Sequence, residues 1–339
     1  MYIIWAILGF SLLIIVHELG HFTLAKLNGI RVEEFSIGMG PEVYSHKGKE
    51  TQYSLRLLPI GGYVKMMGEE EAVDDERSFS NKSPLRRLSV ILAGAFMNIV
   101  LAFVCFALVY SNVGFVENTI DSIVADSAAE EAGLQPGDKL LKINGNKIYT
   151  SDEITMEMYY NNGKTIDLLV EREGKKLEFE LTPKLVNSSN GDYYQIGFAY
   201  ERVTEPTFGQ TLRYTYRQTI STVKVTYKSL AMLVTGKLNL KTDIGGPVTM
   251  IRMSGKAAQS GWQTLCNFLG IISINLAVFN LLPFPALDGG WALILLIEFI
   301  TKKKVPDKIV GTLNYVGFII LMGFMLIVTL KDIIFPVAL

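Results

Sequence analysis

The stretch Val16-His17-Glu18-Leu19-Gly20-His21 places two imidazoles and a carboxylate inside an otherwise apolar segment. On a helix, positions four apart share a face, so His17 and His21 can hold one metal ion. Glu18 then lies beside them, where it can take a proton from a water acidified by that ion. The chain has only 3 histidines, and two of them fall here at ligand spacing. The alternative is a pair of satisfied core histidines, but an apolar surrounding offers few partners for spare ring nitrogens. The remaining histidine, His46, sits in a stretch patterned as a hairpin and reads as a surface residue instead of a third ligand.

A second polar group lies far along the chain, in Asn280-Leu281-Leu282-Pro283-Phe284-Pro285-Ala286-Leu287-Asp288-Gly289-Gly290. Two prolines two apart, followed by Asp-Gly-Gly, predict an unwound helix within an apolar stretch, tolerated only where backbone is buried in protein or lines a polar cavity. Asp288 is the one acid in the apolar core of that stretch, since Glu298 lies near its basic end, and a carboxylate there is read by default as functional. Asp288 precedes Lys302 by about as many residues as separate His17 and His21 from the first basic loop, so the three groups lie at similar depth. Two His and one Asp supply three ligands and leave a fourth zinc position for water. Peptide hydrolysis is the natural product of this set, because a structural or transported metal has no need of Glu18.

The elements that must position these residues are apolar. Of 339 residues 49% are hydrophobic, and the excess concentrates near 3–27, 88–111, 264–299 and 309–330, each about long enough to cross a hydrocarbon layer of roughly 30 Å. A polytopic α-helical membrane protein with four spans is expected, with a membrane-associated β-hairpin and an inserted α+β domain. The net charge of −1 and the lack of a basic stripe with interleaved aromatics argue against nucleic acid. Cys105 and Cys266 both fall in apolar stretches and make no disulfide framework. The N-terminal run, with no basic leader and no small-residue cleavage site, reads as an uncleaved span. Lys26, Arg31, Arg86 and Arg87 bracket one loop, and Lys302, Lys303, Lys304 and Lys308 fill another. Both loops are expected in the cytoplasm, with the N-terminus, the inserted domain and the C-terminus outside.

The expected organisation is a first span carrying the metal motif at 1–27, a cytoplasmic-side hairpin and linker at 28–87, and a second span at 88–112. A mixed domain follows at 113–205, an amphipathic region at 206–262, a broken third span at 263–300, and a basic loop with the fourth span at 301–339. In the hairpin, Tyr53, Leu55 and Leu57 alternate with polar partners before Pro59, Gly61 and Gly62 break the strand. Glu69 to Arg77 reads as a solvated linker. In the second span Gly94 permits close helix packing, and Asn98 requires a partner, either as packing glue or as a substrate contact. In the mixed domain a strand at 119–125 precedes a short capped helix ending at Gly133. Strands are expected at 139–143, 165–172 and 176–181, with a helix capped by Ser151 and Asp152. In 206–262, Arg213, Arg217, Lys224 and Lys228 recur beside Leu212, Tyr216, Ile220, Val223 and Leu230, as in a helix on the outer leaflet or against the spans.

The run Ala132-Gly133-Leu134-Gln135-Pro136-Gly137-Asp138, followed by Ile143-Asn144-Gly145, resembles that of bacterial PDZ domains. With His-Glu-x-x-His at 17–21 and Asn-Leu-Leu-Pro-Phe-Pro-Ala-Leu-Asp-Gly-Gly at 280–290 on either side, nearly the whole chain resembles the bacterial site-2 proteases. These are intramembrane zinc metalloproteases, and the branch is that of the regulator of sigma-E protease. The resemblance implies zinc at His17, His21 and Asp288, with Glu18 as general base. It implies that Asn275 and Asn280 hold the substrate backbone, and that Gly94 and Asn98 match the family's small-x-x-x-Asn pattern. It also implies that the loop around Tyr53 to Met66 is a membrane-dipping β-element presenting an edge to the substrate. Departures are a single PDZ domain, Met39 between two glycines, and Trp291 where a basic residue is common.

The implied function is cleavage within the transmembrane segments of single-span proteins, such as anti-sigma factors already trimmed by another protease or remnant signal peptides. The implied location is the cell membrane, with the active site in the bilayer towards the cytoplasm. A helix hides its scissile carbonyls in its own hydrogen bonds, so substrates with helix-weakening residues are expected to be preferred. The alternative is a non-catalytic membrane adaptor that holds peptides in its PDZ groove.

Overall fold

The computed structural model describes residues 2–69, 73–187, 192–237 and 245–336. Four of its helices are long and apolar enough to cross a membrane, over Ile7–Leu27, Pro84–Val113, Trp262–Asn280 and Lys308–Ile334. The chain forms two compact units, one from Met1–Cys105 with Ala231–Leu339 and the other from Phe106–Leu230. A polytopic helical membrane protein with a β-rich insertion is therefore the observed class.

In the first unit, α1 (Tyr2–Leu27) leads into two long strands, β1 (Val32–Lys47) and β2 (Gln52–Met66). They are more elaborate than the single hairpin expected. Gly38 and Gly40 in β1 and Gly61 in β2 adopt positive φ, at 86°, 85° and 92°, which bends each strand back on itself. As a result, residues 32–37 are paired on one side with 62–66 and on the other, through Glu34–Ile37, with Gln52–Leu55, while 44–47 lie beyond 52–55. The spatial order of these four runs is 62–66, 32–37, 52–55, 44–47, and among the described residues it leaves the run ending at Met66 as an open edge. Of the acidic stretch expected as a linker, residues 70–72 lie outside the described ones. Soon after it, Phe79 is buried and meets Trp291 edge to face.

Helix α2 (Pro84–Val113) packs its small residues on α1. A Cβ at Gly20 would come within 2.4 Å of the Ala93 carbonyl, so only glycine allows this approach. The third apolar stretch is indeed broken, as the helix breakers dictate. Asn280 ends one of its helices and Asp288 begins the next, with Leu281–Leu287 between them.

The second unit holds a sheet of order β10-β3-β4-β6-β7, with β5 against β4. Its strands are β3 (Phe115–Ile123), β4 (Lys139–Ile143), β5 (Asn146–Lys147), β6 (Ile166–Arg172), β7 (Lys175–Leu181) and β10 (Phe198–Val203), while β8 (Lys184–Val186) pairs with β9 (Tyr193–Gln195). A core of Ile120, Leu140, Ile143, Ile154, Ile166 and Leu168 packs beneath it, with α3 (Ala128–Glu131) and α4 (Ser151–Asn161) alongside. The cap of α4 is Thr150, one residue earlier than expected. Its hydroxyl accepts from Asp152 N–H, and Glu153 reaches back to the Thr150 N–H in a capping box.

Residues 206–230, the first part of the expected amphipathic region, belong to the second unit. The early turns of α5 (Phe208–Val234) belong to this unit, with Arg217 on Glu117, Gln218 on Asp152 and Ser221 on Thr150. Its buried face is the hydroxyl-rich one, from Thr211 and Thr215 to Ser221 and Thr222. Leu212 and Tyr216 point outward. Gln218 and Ser221 find partners across the domain, while the hydroxyls of Thr219 and Thr222 donate to carbonyls one turn back, which periodicity alone does not reveal.

Beyond 244, α6 (Pro247–Gln259) is capped by Asp332, whose Oδ2 accepts from Gly246 and Thr249 N–H. It is followed by α7 (Trp262–Asn280), α8 (Asp288–Thr301) and α9 (Asp307–Ile334). Both cysteines are free thiols, and Cys266 Sγ lies 3.6 Å from the Cys105 carbonyl.

Candidate active site

The spacing of His17 and His21 on α1 does what one helical turn requires. Their Nε2 atoms stand 3.1 Å apart, and both residues are buried. Asp288 arrives from the first turn of α8, 3.2 Å from His17 Nε2 and 3.5 Å from His21 Nε2 through the same oxygen, Oδ2. That oxygen is buried and accepts no hydrogen bond.

Ring orientation is set from behind. His21 Nδ1 lies 2.9 Å from the Val90 carbonyl, which can only accept, so Nδ1 carries the proton and Nε2 keeps its lone pair. His17 Nδ1 faces the Asn98 amide at 3.1 Å. Asn98 is fully buried, and Ser273 of α7 donates to its backbone carbonyl at 2.8 Å. Asn280, the last residue of α7, comes to 3.4 Å from His17 Nε2.

Three electron-rich atoms thus converge with separations of 3.1, 3.2 and 3.5 Å. A tetrahedral zinc with bonds of about 2.0–2.1 Å has ligand–ligand edges of about 3.3–3.4 Å, so the spacing fits that ion. Space fits as well. A Cβ at Gly94 of α2 would stand 2.4 Å from His21 Nε2 and 2.7 Å from His17 Nε2, so glycine leaves open the hollow against both nitrogens. Among the described residues this is the one such group of three or more His, Cys, Asp and Glu.

Glu18 is half-buried next to the histidines, and the last run of the β-sheet passes it. A Cβ at Gly62 would lie 3.5 Å from Glu18 Cγ. One side of this run pairs with residues 32–37, and the run borders a cavity of about 680 Å³. Tyr63–Met66, Trp291 and Asn314 contribute to the lining.

Residues 5–324 match the model of peptidase family M50. The chain belongs to peptidase family M50, the site-2 proteases. This M50 peptidase is 50% identical over 337 residues to "Putative zinc metalloprotease CPE1693" of Clostridium perfringens, covering 99% of this chain and 100% of that one. It is 46% identical over 335 residues to "Putative zinc metalloprotease CA_C1796" of Clostridium acetobutylicum, covering 99% and 98%. It is also 30% identical over 411 aligned residues to "Regulator of sigma-W protease RasP" of Bacillus subtilis, covering 96% and 97%. It is a membrane zinc metalloprotease, and its metal is zinc.

The structure brings His17, His21, Asp288, Glu18, Asn98 and Asn280 of the M50 peptidase together. Asn275 lies half-buried on α7, five residues before Asn280 and so about 140° away around the helix. Sequence reasoning missed Asn314, whose Oδ1 accepts from Ala286 N–H at 3.2 Å in the loop before Asp288, where Ala286 holds a φ of 71°. It also missed the buried pair of Arg87 and Glu298, 2.8 Å apart. Arg87 counted only as one of the basic loop charges and Glu298 only as an acid near the span end.

Proposed function

We propose that the chain is an intramembrane endopeptidase that cuts single-span membrane proteins within their spans, with His17, His21 and Asp288 as zinc ligands and Glu18 as general base. The observation that carries this is the convergence of three buried ligand atoms from α1 and α8 on the hollow left by Gly94. Zinc held there supplies a Lewis acid that polarises a peptide carbonyl and acidifies water. Glu18 takes the water's proton and returns it to the leaving amine. Asn280, beside His17 at the open end of α7, donates its amide to the substrate carbonyl and keeps it from turning away. Asn275 serves the substrate backbone further along the same helix.

Asn98 acts one layer back. With its amide oriented so that Oδ1 accepts from His17 Nδ1–H, an otherwise unpartnered buried oxygen gains a donor and His17 Nε2 is left bare for the metal. Asn98 is therefore a positioning residue for a ligand.

The substrate must present an extended backbone, since a helical carbonyl is closed off by its own hydrogen bond. The open edge at Gly62–Met66, passing Glu18, is placed to receive such a strand and to replace the bonds lost on unwinding. The domain of the second unit we read as a PDZ domain, with a groove of about 470 Å³ between α4 and the chain around Tyr193–Tyr200. Its proposed role is to screen substrates outside the cell. The orientation follows the cations. Lys26 ends α1, and Arg87 near the start of α2 pairs with Glu298 near the end of α8, which supports one common, cytoplasmic side for these ends. One substrate class we propose is anti-sigma factors trimmed first by another protease, a reading compatible with the name of the Bacillus subtilis relative, a regulator of sigma-W protease.

The test is Glu18→Gln in full-length protein with a single-span reporter. The variant is expected to keep one zinc per chain and bind the reporter while cleaving it roughly 100- to 10,000-fold more slowly. Wild-type turnover by this variant would refute the assignment of the base. An adaptor would be untouched by the change.

A further inference from the structure

The open sheet edge needs a reason to hold its shape, because edge strands are paired on one side only. The polar face of the sheet provides one. Arg56, in the run 52–58 of β2, sends its guanidinium across the neighbouring run to the far side of the sheet. Its Nε donates to Ser36 Oγ at 3.0 Å and Nη1 to the Gly40 carbonyl at 2.9 Å. Nη2 donates to Glu34 Oε1 at 2.8 Å and to the Tyr63 hydroxyl at 2.6 Å. Ser36 lies between Ser54 and Tyr63 in register, so one cation spans three runs and the bend at Gly40. Side chains on the other face, among them Phe35, Ile37, Tyr53 and Leu55, line one groove with Leu19 and Phe22 of α1, and the Phe22 ring packs near those of Phe35 and Tyr53. Around the bends Met39, Val43, Leu57 and Leu58 are exposed and apolar. A cation among them is tolerated because its donors are taken up internally.

We infer that Arg56 is a positioning residue for proteolysis, holding the edge run Gly62–Met66 in register beside Glu18 through Tyr63. This rests on the reading that a substrate strand adds to that edge. The cavity beyond the edge is lined by Tyr63 itself, so a shift of this side chain moves both the backbone that receives the substrate and the wall next to it. The planar fork makes the arrangement specific to arginine, since lysine cannot address Ser36, Gly40, Glu34 and Tyr63 together.

The test compares Arg56→Gln and Tyr63→Phe with wild type in the full-length zinc-loaded protein. The readouts are zinc content, steady-state cleavage of a single-span reporter, and amide hydrogen exchange. Arg56→Gln is expected to raise KM by roughly tenfold or more with kcat within about threefold, to retain its zinc, and to speed exchange at 62–66. Tyr63→Phe, which removes one contact, is expected to move KM and exchange in the same direction by about two- to fourfold. Wild-type KM and exchange in both variants would overturn the inference. So would a fall in kcat with loss of zinc, which marks a merely structural role. If wild type itself left the reporter uncut, the proteolysis reading would fail, and exchange at 62–66 would still decide whether Arg56 holds the edge.

Discussion

Gly94 of α2 lies so close to the histidine pair of α1 that a Cβ at position 94 would stand 2.4 Å from His21 Nε2. The contact is functional in consequence, since the same Cβ would stand 2.7 Å from His17 Nε2. Gly94→Ala is expected to lower zinc affinity by about 100-fold or more, as a methyl would take the space a ligand set needs. Zinc content after dialysis against a chelator checks this, together with reporter cleavage. Gly323→Ala is the control, because a Cβ there meets nothing within 4 Å. It should leave both readouts unchanged.

Asn98 is the side-chain partner behind His17, whereas His21 is oriented by a backbone carbonyl that mutation cannot delete. Asn98→Ala is therefore expected to weaken zinc binding by roughly 10- to 100-fold, the usual effect of removing an outer partner of a metal ligand. Chelator competition measures it. Excess zinc should restore much of the cleavage, which no loss of a substrate-binding group alone would allow.

Arg87 and Glu298 form an ion pair at 2.8 Å with side chains only 7% and 5% exposed, and Glu298 Oε1 also accepts from Val305 N–H. Removing one partner strands a buried charge and is expected to cost about 3–5 kcal/mol. Arg87→Met combined with Glu298→Leu should be less destabilised than either single variant. Thermal unfolding in detergent of the three variants gives the comparison.

Asp138 in the second unit is fully buried, and burial raises its pKa. The two hydrogen bonds from Arg172, at 2.7 and 2.8 Å, and one from Gln135 N–H outweigh this and hold the carboxyl below its ordinary value. A carboxyl depressed in the folded state contributes stability above its unfolded value of about 3.9 and loses it as pH falls through the lower folded value. Unfolding of this unit, followed by hydrogen exchange at Lys139–Ile143, should therefore steepen below about pH 4. In Asp138→Asn that acid-side dependence should shrink.

The chemistry of the chain was written locally. His17, Glu18 and His21 are one helical turn, so their spacing alone implied a shared ion and an adjacent base. The two prolines before Asp288 forced the break between α7 and α8, because a ring without N–H cannot continue the ladder. Turn residues placed Gly133 and Asn144-Gly145 for the same kind of local reason. Long apolar runs marked the four crossings, since hydrocarbon accepts little else.

Other features depend on groups far apart in sequence. That Asp288 Oδ2 reaches both imidazoles was an inference from depth, and only the packing of α8 on α1 fixes it at 3.2 and 3.5 Å. Gly94 reads locally as a packing residue, and only the fold sets it against the rings of His17 and His21. The bends at Gly38, Gly40 and Gly61 turned an expected hairpin into four runs, because register depends on which strands meet. The buried hydroxyl face of α5 defeated periodicity, since a Ser or Thr is stable inside where a distant group or a carbonyl one turn back takes its hydrogen bond. The candidate ligand types were thus legible locally, while the geometry around His17, His21 and Asp288, the sheet edge and the contacts of Arg56 came from segments that only the folded chain brings together.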